Sequence, residues 1–154
     1  KPLGRQDDPE TAKHEIARTQ DAIADLAHPQ RWFRPFGGGG HLDDGLLKPS
    51  VVDHLVRGEY SCVLWNAIPR DWDDPDGWVD RALAQCRSQA WTLMVLHDLP
   101  TGAMAHLDEF LDRAGEMGAR IHQEFPPACV PIRSGEVVLP IESYVSRIEE
   151  SIKQ

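Results

Sequence analysis

The 154-residue sequence contains few cysteines and no long apolar run. Cys62, Cys86 and Cys129 are widely spaced without a Cys-x-x-Cys pattern, which favours neither a disulfide framework nor a structural zinc site. Cys62 and Cys86 lie on predicted apolar faces, so we expect buried thiols. No apolar run approaches the roughly 18 residues of a membrane-spanning helix, so we expect no membrane span.

Basic residues are also scarce. Lysine and arginine number 16 against 25 acidic residues, for a net charge of −9, which argues against nucleic acid or an anionic membrane as a partner. No repeat or low-complexity linker divides the chain, and residues 1–154 are predicted to form one domain. The chain begins at Lys1 without Met or a visible signal peptide. We therefore expect a processed or truncated form, and residue patterns alone assign no compartment.

Apolar periodicity predicts helices alternating with strands. Because strict alternation with buried strands is typical of parallel β/α architecture, we expect an α/β fold, although about four strands are few for a closed barrel. The predicted strands are 31–36, 60–65, 91–97 and 119–122, with an extended segment at 137–140. The predicted helices run from an acidic-proline start at 7–10 to about Ala27, from Gly45 to Arg57, from 73–75 to about Gln89, from Ala103 to Met117, and over Ile141, Val145, Ile148 and Ile152. Their predicted inward side chains include Ile16, Ile23 and Leu26 in the first helix, Trp78, Val79, Ala82, Leu83 and Cys86 in the third, and Met104, Leu107, Leu111 and Ala114 in the fourth.

Polar side chains follow the predicted strands. Residues 91–96 (Trp-Thr-Leu-Met-Val-Leu) form a continuous apolar run that predicts a strand buried on both faces, and His97 stands at its carboxyl end. Ligands meet α/β sheets at such ends. His97 can therefore contact a ligand or simply brace a loop, and its position alone favours neither. Asp71 occupies the same kind of place after strand 60–65. Arg34 follows strand 31–36, where an arginine usually holds a carboxylate.

Glycines 37–40 forbid regular structure and allow backbone amides to donate to an oxyanion. They lack the Gly-Lys-Ser/Thr of a phosphate loop, and the alternative is a flexible turn. His41, Asp43 and Asp44 imitate a small metal cluster. We expect Asp43 and Asp44 to cap the helix from Gly45 instead, since three residues rarely complete a metal site.

Three of these segments resemble known motifs. Residues 34–38 (Arg-Pro-Phe-Gly-Gly), 71–72 (Asp-Trp) and 95–98 (Val-Leu-His-Asp) resemble, in order and spacing, the third, fourth and fifth motifs of NodB-type polysaccharide deacetylases, carbohydrate esterase family 4. Residues 15–20 also look like the segment that precedes the third motif. The resemblance covers about residues 10–123 and makes this chain similar to the C-terminal portion of that domain.

The resemblance implies a distorted (β/α) barrel, incomplete at its N-terminus here. It also implies metal-dependent removal of acetyl groups from N-acetylated sugars in a polysaccharide or oligosaccharide, with a divalent metal that is commonly zinc. His97 would be the general acid that protonates the leaving amine. Asp71 would orient His97 and favour its charged form. Arg34 would pair with the catalytic base. A secreted, periplasmic or cell-surface location is implied as well.

The same resemblance implies a substrate-binding group. Trp72 would form an apolar wall near the acetyl methyl, and the Gly37 amide would stabilise the oxyanion. Pro35 and Phe36 complete this group. The usual Arg-Pro-Pro-Tyr-Gly reads Arg-Pro-Phe-Gly-Gly here, so the aromatic side chain moves to Phe36.

The first two family motifs, a Thr-Phe-Asp-Asp-like sequence and a His-xxx-His sequence, are missing. Residues 43–45 (Asp-Asp-Gly) imitate part of the first motif but follow the third. We therefore expect the metal ligands and the catalytic base upstream of Lys1, and no metal ligand in this chain. The alternative is a degenerate relative without catalysis. The joint presence of Asp71, His97 and Arg34 favours the catalytic interpretation.

Two other function classes stay open. A carbohydrate-binding module could stack sugar rings on exposed aromatic side chains without catalysis. The candidate side chains are Trp32, Phe36, Trp65, Trp72 and Trp78, of which Trp65 and Trp78 are expected in the core. The other possibility is a hydrolase of a non-sugar C–N bond on the same fold.

Overall fold

A computed structural model describes residues 1–6 and 8–147. The chain divides into two compact units, Lys1–Leu64 with Val130–Gln154 and Trp65–Cys129, and each is described by itself. Within the described residues, no helix combines the length and the apolarity that crossing a membrane requires.

The first helix of the first unit, α1, spans Pro9–Ile23. It begins there because the Asp8 carboxylate accepts hydrogen bonds from the amides of Glu10 at 3.0 Å and Thr11 at 3.3 Å, and Pro9 starts the first turn. It ends before Ala24, whose φ of 43° is left-handed, and a 3-10 turn follows at Ala24–Leu26.

The predicted inner face of α1 is only partly right. Ile16 is 1% exposed, but Ile23 is 41% and Leu26 is 85% exposed. Helix α1 packs against the second helix, α2, which spans Pro49–Arg57. With 15 and 9 residues, the two helices are about 22 and about 13 Å long, so α1 extends beyond its partner.

Helix α2 starts four residues later than predicted. Pro49 begins it, and Asp43 and Asp44 do not cap it, because Lys48 is the N-cap residue. The Asp43 carboxylate instead accepts the Gly45 amide at 2.9 Å within a turn. Proline at the first helical position fixes a favourable φ, which sets this start.

The sheet of the first unit has four short strands in the order β1-β2-β3-β4. They are β1 Trp32–Phe33, β2 Ser61–Cys62, β3 Ile132–Arg133 and β4 Glu136–Val137. Strands β1 and β2 are parallel, whereas β2–β3 and β3–β4 are antiparallel. The expected parallel pairing is confirmed for β1 with β2 and is wrong for β3 and β4, so this sheet is mixed.

The predicted extended segment at 137–140 overlaps β4 only at Val137, and the β3–β4 hairpin itself is not predicted by the sequence. Its two connecting residues, Ser134 and Gly135, have φ values of 47° and 81°. Positive φ at both central residues defines the tight turn whose twist matches paired strands, and glycine adopts that conformation without strain. The buried apolar residues of this unit include Leu3, Ala12, Ile16, Leu46, Leu47, Val51, Leu55, Tyr60, Cys62, Val63, Leu64, Val130 and Ile132.

The second unit contains α3, Trp78–Arg87, and α4, Leu107–Glu116, with a 3-10 turn at Ala103–His106. Trp78 is fully buried and donates from Nε1 to the Ala103 carbonyl at 2.9 Å. The two helices pack through Trp78, Val79, Ala82, Leu83, Ala103, Phe110 and Ala114. The inward face predicted for α3 is confirmed: Cys86 packs against the same cluster, although its thiol is half-buried rather than buried.

The inner face predicted for α4 is confirmed at Met104, Leu107 and Ala114 and is wrong at Leu111. Phe110 is 8% exposed and faces the core, whereas Leu111 is 40% exposed. Met104 and Leu107 are partly buried against the same cluster. The predicted stop at Gly118 is confirmed, because its φ of 81° allows the Gly118 and Ala119 amides to bond the carbonyls of the last turn.

The run at 91–97 is not a strand buried on both faces. It has a single parallel bridge, Ala67 with Met94, and Trp91 is 41% exposed. Met94 and Leu96 are partly buried against the core cluster of α3 and α4, and residues 92–97 are half-buried, so the run is covered less completely than the prediction required.

Two further predictions fail near the C-terminus. Residues 119–122 are exposed and form no strand, with Ile121 77% exposed. In the described part of the predicted last helix, residues 141–147, the structure has a 3-10 turn at Glu142–Tyr144, and Val145 bridges Leu47 instead of continuing a helix. Ile148 and Ile152 lie outside the described residues.

Candidate functional site

The candidate residues fall in both units. Asp71, Trp72 and His97 belong to the second unit, and Arg34 with residues 35–37 belongs to the first. The predicted convergence of Arg34 with Asp71 and His97 stays a prediction.

Asp71 and His97 are in direct contact, as predicted. The side chain of Asp71 is 1% exposed and that of His97 is 33% exposed. Asp71 Oδ2 accepts the backbone amide of His97 at 2.8 Å, and Asp71 Oδ1 lies 3.0 Å from His97 Nδ1. A carboxylate oxygen only accepts, so Nδ1 donates and the neutral ring carries its proton there. Among the described residues, Nε2 of His97 makes no hydrogen bond.

Trp72 packs against the same imidazole. The two ring centroids are 4.8 Å apart with an interplanar angle of 79°, an edge-to-face contact. The Arg70 guanidinium also lies near this tryptophan, 5.5 Å from the centroid of one of its rings. Arg70 has a φ of 59° and also pairs with Asp73 at 3.0 Å. Trp72 therefore limits the rotation of His97 as well as shaping its surroundings.

Helix α3 holds the loop that carries Asp71. Arg81 Nε donates to the Pro69 carbonyl at 2.8 Å, and Arg81 Nη1 donates to Asp74 Oδ2 at 2.7 Å. The Asp74 pKa lies below its usual value, mainly because Arg81 and then the Gly77 amide donate to it. Sequence reasoning missed Arg81, since a charged residue on the outer face of a helix carries no distinguishing signal.

The first unit presents the glycine turn predicted as a backbone donor. The Gly37 carbonyl accepts the amides of Gly40 at 3.0 Å and His41 at 3.1 Å. Pro35 is fully buried beneath the turn, whereas Phe36 is 60% exposed and Arg34 is exposed. A small pocket beside the turn is lined by Pro2, Arg5, Gly37, Gly38, His41, Asp43 and Leu46.

The described residues do not fit the implied divalent metal. No three of their His, Cys, Asp or Glu side chains are grouped so that they could hold a metal ion. Asp43, part of the imitated cluster, instead pairs with Arg5 at 3.1 Å. The carboxylate of Asp71 is already engaged by His97.

The tryptophans fall into a buried pair and a partly exposed group, as the sequence predicted. Trp65 is 4% exposed and Trp78 is fully buried, which confirms both as core residues. Trp32 and Trp72 are half-buried. Of the candidate stacking side chains, Trp32 and Phe36 keep exposed surface in the first unit and Trp72 does so in the second.

No protein-family model, curated protein or solved structure matches this chain. The likeness to polysaccharide deacetylases therefore depends on the three motifs described above and on the chemistry of the residues within them.

Proposed function

We propose that this chain supplies the general-acid part of a hydrolase of the polysaccharide deacetylase type, which removes acetyl groups from an N-acetylated glycan. The observation that supports the proposal best is the double hydrogen bond between the buried Asp71 carboxylate and His97. One of these bonds holds the imidazole at Nδ1 and the other holds the His97 backbone amide, so the buried carboxylate fixes both the ring and the chain that carries it, as suits a positioned proton donor.

This geometry determines which nitrogen of His97 carries the proton that is transferred. Asp71 accepts from Nδ1 of His97 whether the ring is neutral or charged, so protonation changes occur at Nε2. In the proposed reaction the charged imidazole gives the Nε2 proton to the departing sugar amine. It returns to the neutral ring with its Nδ1 proton still donated to Asp71.

The other residues have proposed roles around this transfer. Trp72 restrains the imidazole and presents its indole to the acetyl methyl. The Gly37 amide stabilises the oxyanion, with Pro35 and Phe36 beside the substrate. Arg34 pairs with the catalytic base. A divalent metal, when bound, would supply the activation of the attacking water.

The proposal also includes the properties that the resemblance implies. The fold would be a distorted (β/α) barrel of which this chain is the C-terminal portion. The location would be secreted, periplasmic or cell-surface.

The test measures acetate release from N-acetylated chitooligosaccharide by the full-length natural protein, with and without added zinc. Release that requires zinc and is lost in His97→Ala supports the proposal. Glycan binding without release, measured by calorimetry, would favour a carbohydrate-binding module. Turnover confined to small non-sugar amides would favour a different C–N hydrolase.

A further inference from the structure

The Asp71 loop is a tight turn between two fixed ends. The Arg70 carbonyl accepts the amides of Asp73 and Asp74, each at 3.1 Å. Arg70 itself has the left-handed φ of 59° that reverses the chain. Such a conformation in a non-glycine residue persists only when its surroundings hold it.

One guanidinium bridges the two ends of this turn. Arg81 Nε bonds the Pro69 carbonyl, two residues before Asp71, and Arg81 Nη1 bonds the Asp74 carboxylate, three residues after it. Gln85, one helical turn along α3, adds a bond from Nε2 to the Ile68 carbonyl at 2.9 Å. The loop is thereby fastened to a helix whose inner face is buried in the core.

We propose that Arg81 is a positioning residue for the proposed general acid: it fixes the ends of the 69–74 loop so that Asp71 meets both donors of His97. The part of this inference that concerns proton donation by His97 rests on the proposed function. The part that concerns the position of Asp71 does not. Arg81 acts through Asp71 and touches neither His97 nor a substrate.

The planar fork of arginine suits this task. Its Nε and Nη1 donors have a fixed mutual geometry, so one side chain sets the distance between the two loop ends. Lysine has a single ammonium group on a flexible stem. Arg81→Lys would keep the charge opposite Asp74 but would not hold both ends at a fixed spacing.

Arg113 offers a matched control. It also makes two bonds, to Asp80 at 2.6 Å and Glu109 at 2.8 Å, and its side chain is 39% exposed against 40% for Arg81. Its partners lie on α3 and α4, and none belongs to the 69–74 loop. Arg113→Met therefore removes an equivalent surface arginine without releasing the loop.

The experiment records the ¹⁵N signals of the His97 ring in alkaline buffer, where the ratio of the Nδ1–H to the Nε2–H tautomer is measurable. Arg81→Met should lower that ratio by about fivefold, the change expected when one hydrogen bond's net contribution is lost. Arg81→Lys should give an intermediate ratio, and Arg113→Met should leave it unchanged. An unchanged ratio in folded Arg81→Met would overturn the inference, as would an equal change in Arg113→Met.

A second variant covers the case in which Arg81→Met does not fold. Asp74→Asn alters an exposed partner and leaves the Arg81–Pro69 bond in place, and it should lower the tautomer ratio by about twofold because the charge-assisted bond is weakened. If neither Asp74→Asn nor Arg81→Lys changes the tautomer ratio of His97, the positioning role of Arg81 is refuted. Acetate release is measured separately. If the natural protein releases no acetate but the variants show these tautomer changes, the proposed function is wrong and the positioning role of Arg81 still holds.

Discussion

Asp71 meets His97 twice, at the ring and at the backbone, across 26 residues of sequence. The bond to the His97 backbone amide holds the carboxylate in every protonation state of the imidazole, because a backbone N–H group keeps its proton. The bond to Nδ1 then fixes the plane in which the imidazole lies. The Trp72 ring, whose centroid lies 4.8 Å from that of the imidazole, restricts the imidazole further.

Asp71→Asn tests this pair without changing the size of the side chain. The amide oxygen can still accept from the His97 backbone, but the amide nitrogen then faces Nδ1, so the ring either loses that bond or moves its proton to Nε2. Because the charged acceptor is lost from a buried position, the free energy of unfolding should fall by about 1–3 kcal/mol. Urea denaturation measures that change, and activity should fall with a shifted limb of the pH–rate profile. Asp73→Asn, in the same loop but exposed, is the control. Equal stability of the two variants would contradict the double bond.

His97→Ala tests the proposed proton donor. The rate of acetate release should fall by about 10²–10⁴-fold, the usual contribution of a general acid, while zinc affinity stays the same. His106→Ala is the matched control, because His106 also faces carboxylates, Asp76 at 3.5 Å and Glu109 at 3.7 Å. A parent-like rate in His97→Ala would remove His97 from the mechanism.

The sequence predicted the contact at the site better than it predicted the strands around it. The residue types at 71, 72 and 97 matched known motifs, and they are in contact. Helical periodicity placed Trp78 and Leu83 in the core, because three-to-four spacing reports one buried face.

The strand at 91–97 shows where this reasoning fails. A run of apolar residues indicates that a segment tends to be buried. It does not show which strands or helices lie beside the segment and bury it. The hairpin was missed for a different reason. Ser134-Gly135 is a weaker turn signal than Asn-Gly, and β3 and β4 have only two residues each. Arg81 was missed because its importance depends on carbonyl groups that only the fold brings within reach.

The cysteines provide a test of burial. Cys62 is fully buried, and burial raises the pKa of its thiol to about 12. Burial also raises the pKa of the Cys129 thiol. Because the thiolate is the reactive form, iodoacetamide should modify half-buried Cys86 first and leave Cys62 intact until the protein unfolds. Mass spectrometry of timed digests reports the order, and early modification of Cys62 would contradict its burial.

His54 on α2 predicts how stability depends on pH. Its Nε2 is buried without a hydrogen-bond partner in the described structure, and its ring centroid lies 5.6 Å from that of Tyr60. Desolvation lowers its pKa below the ordinary 6.5, and the positive charges of Lys13 and Arg31 lower it further, against a smaller opposing effect of Glu10. The folded protein therefore disfavours the charged ring.

The sign of the effect follows from proton binding. Below 6.5 the unfolded chain takes up the His54 proton before the folded chain does, so the contribution of His54 to stability is present above 6.5 and is lost as pH falls through the folded pKa. His54→Leu removes this titration and should flatten the decline of the unfolding free energy over that range. His14→Leu, at an exposed position of α1, is the control and should leave the decline unchanged. Urea titrations at a series of pH values measure both slopes, and equal slopes for wild type and His54→Leu would show that His54 does not drive the acid sensitivity.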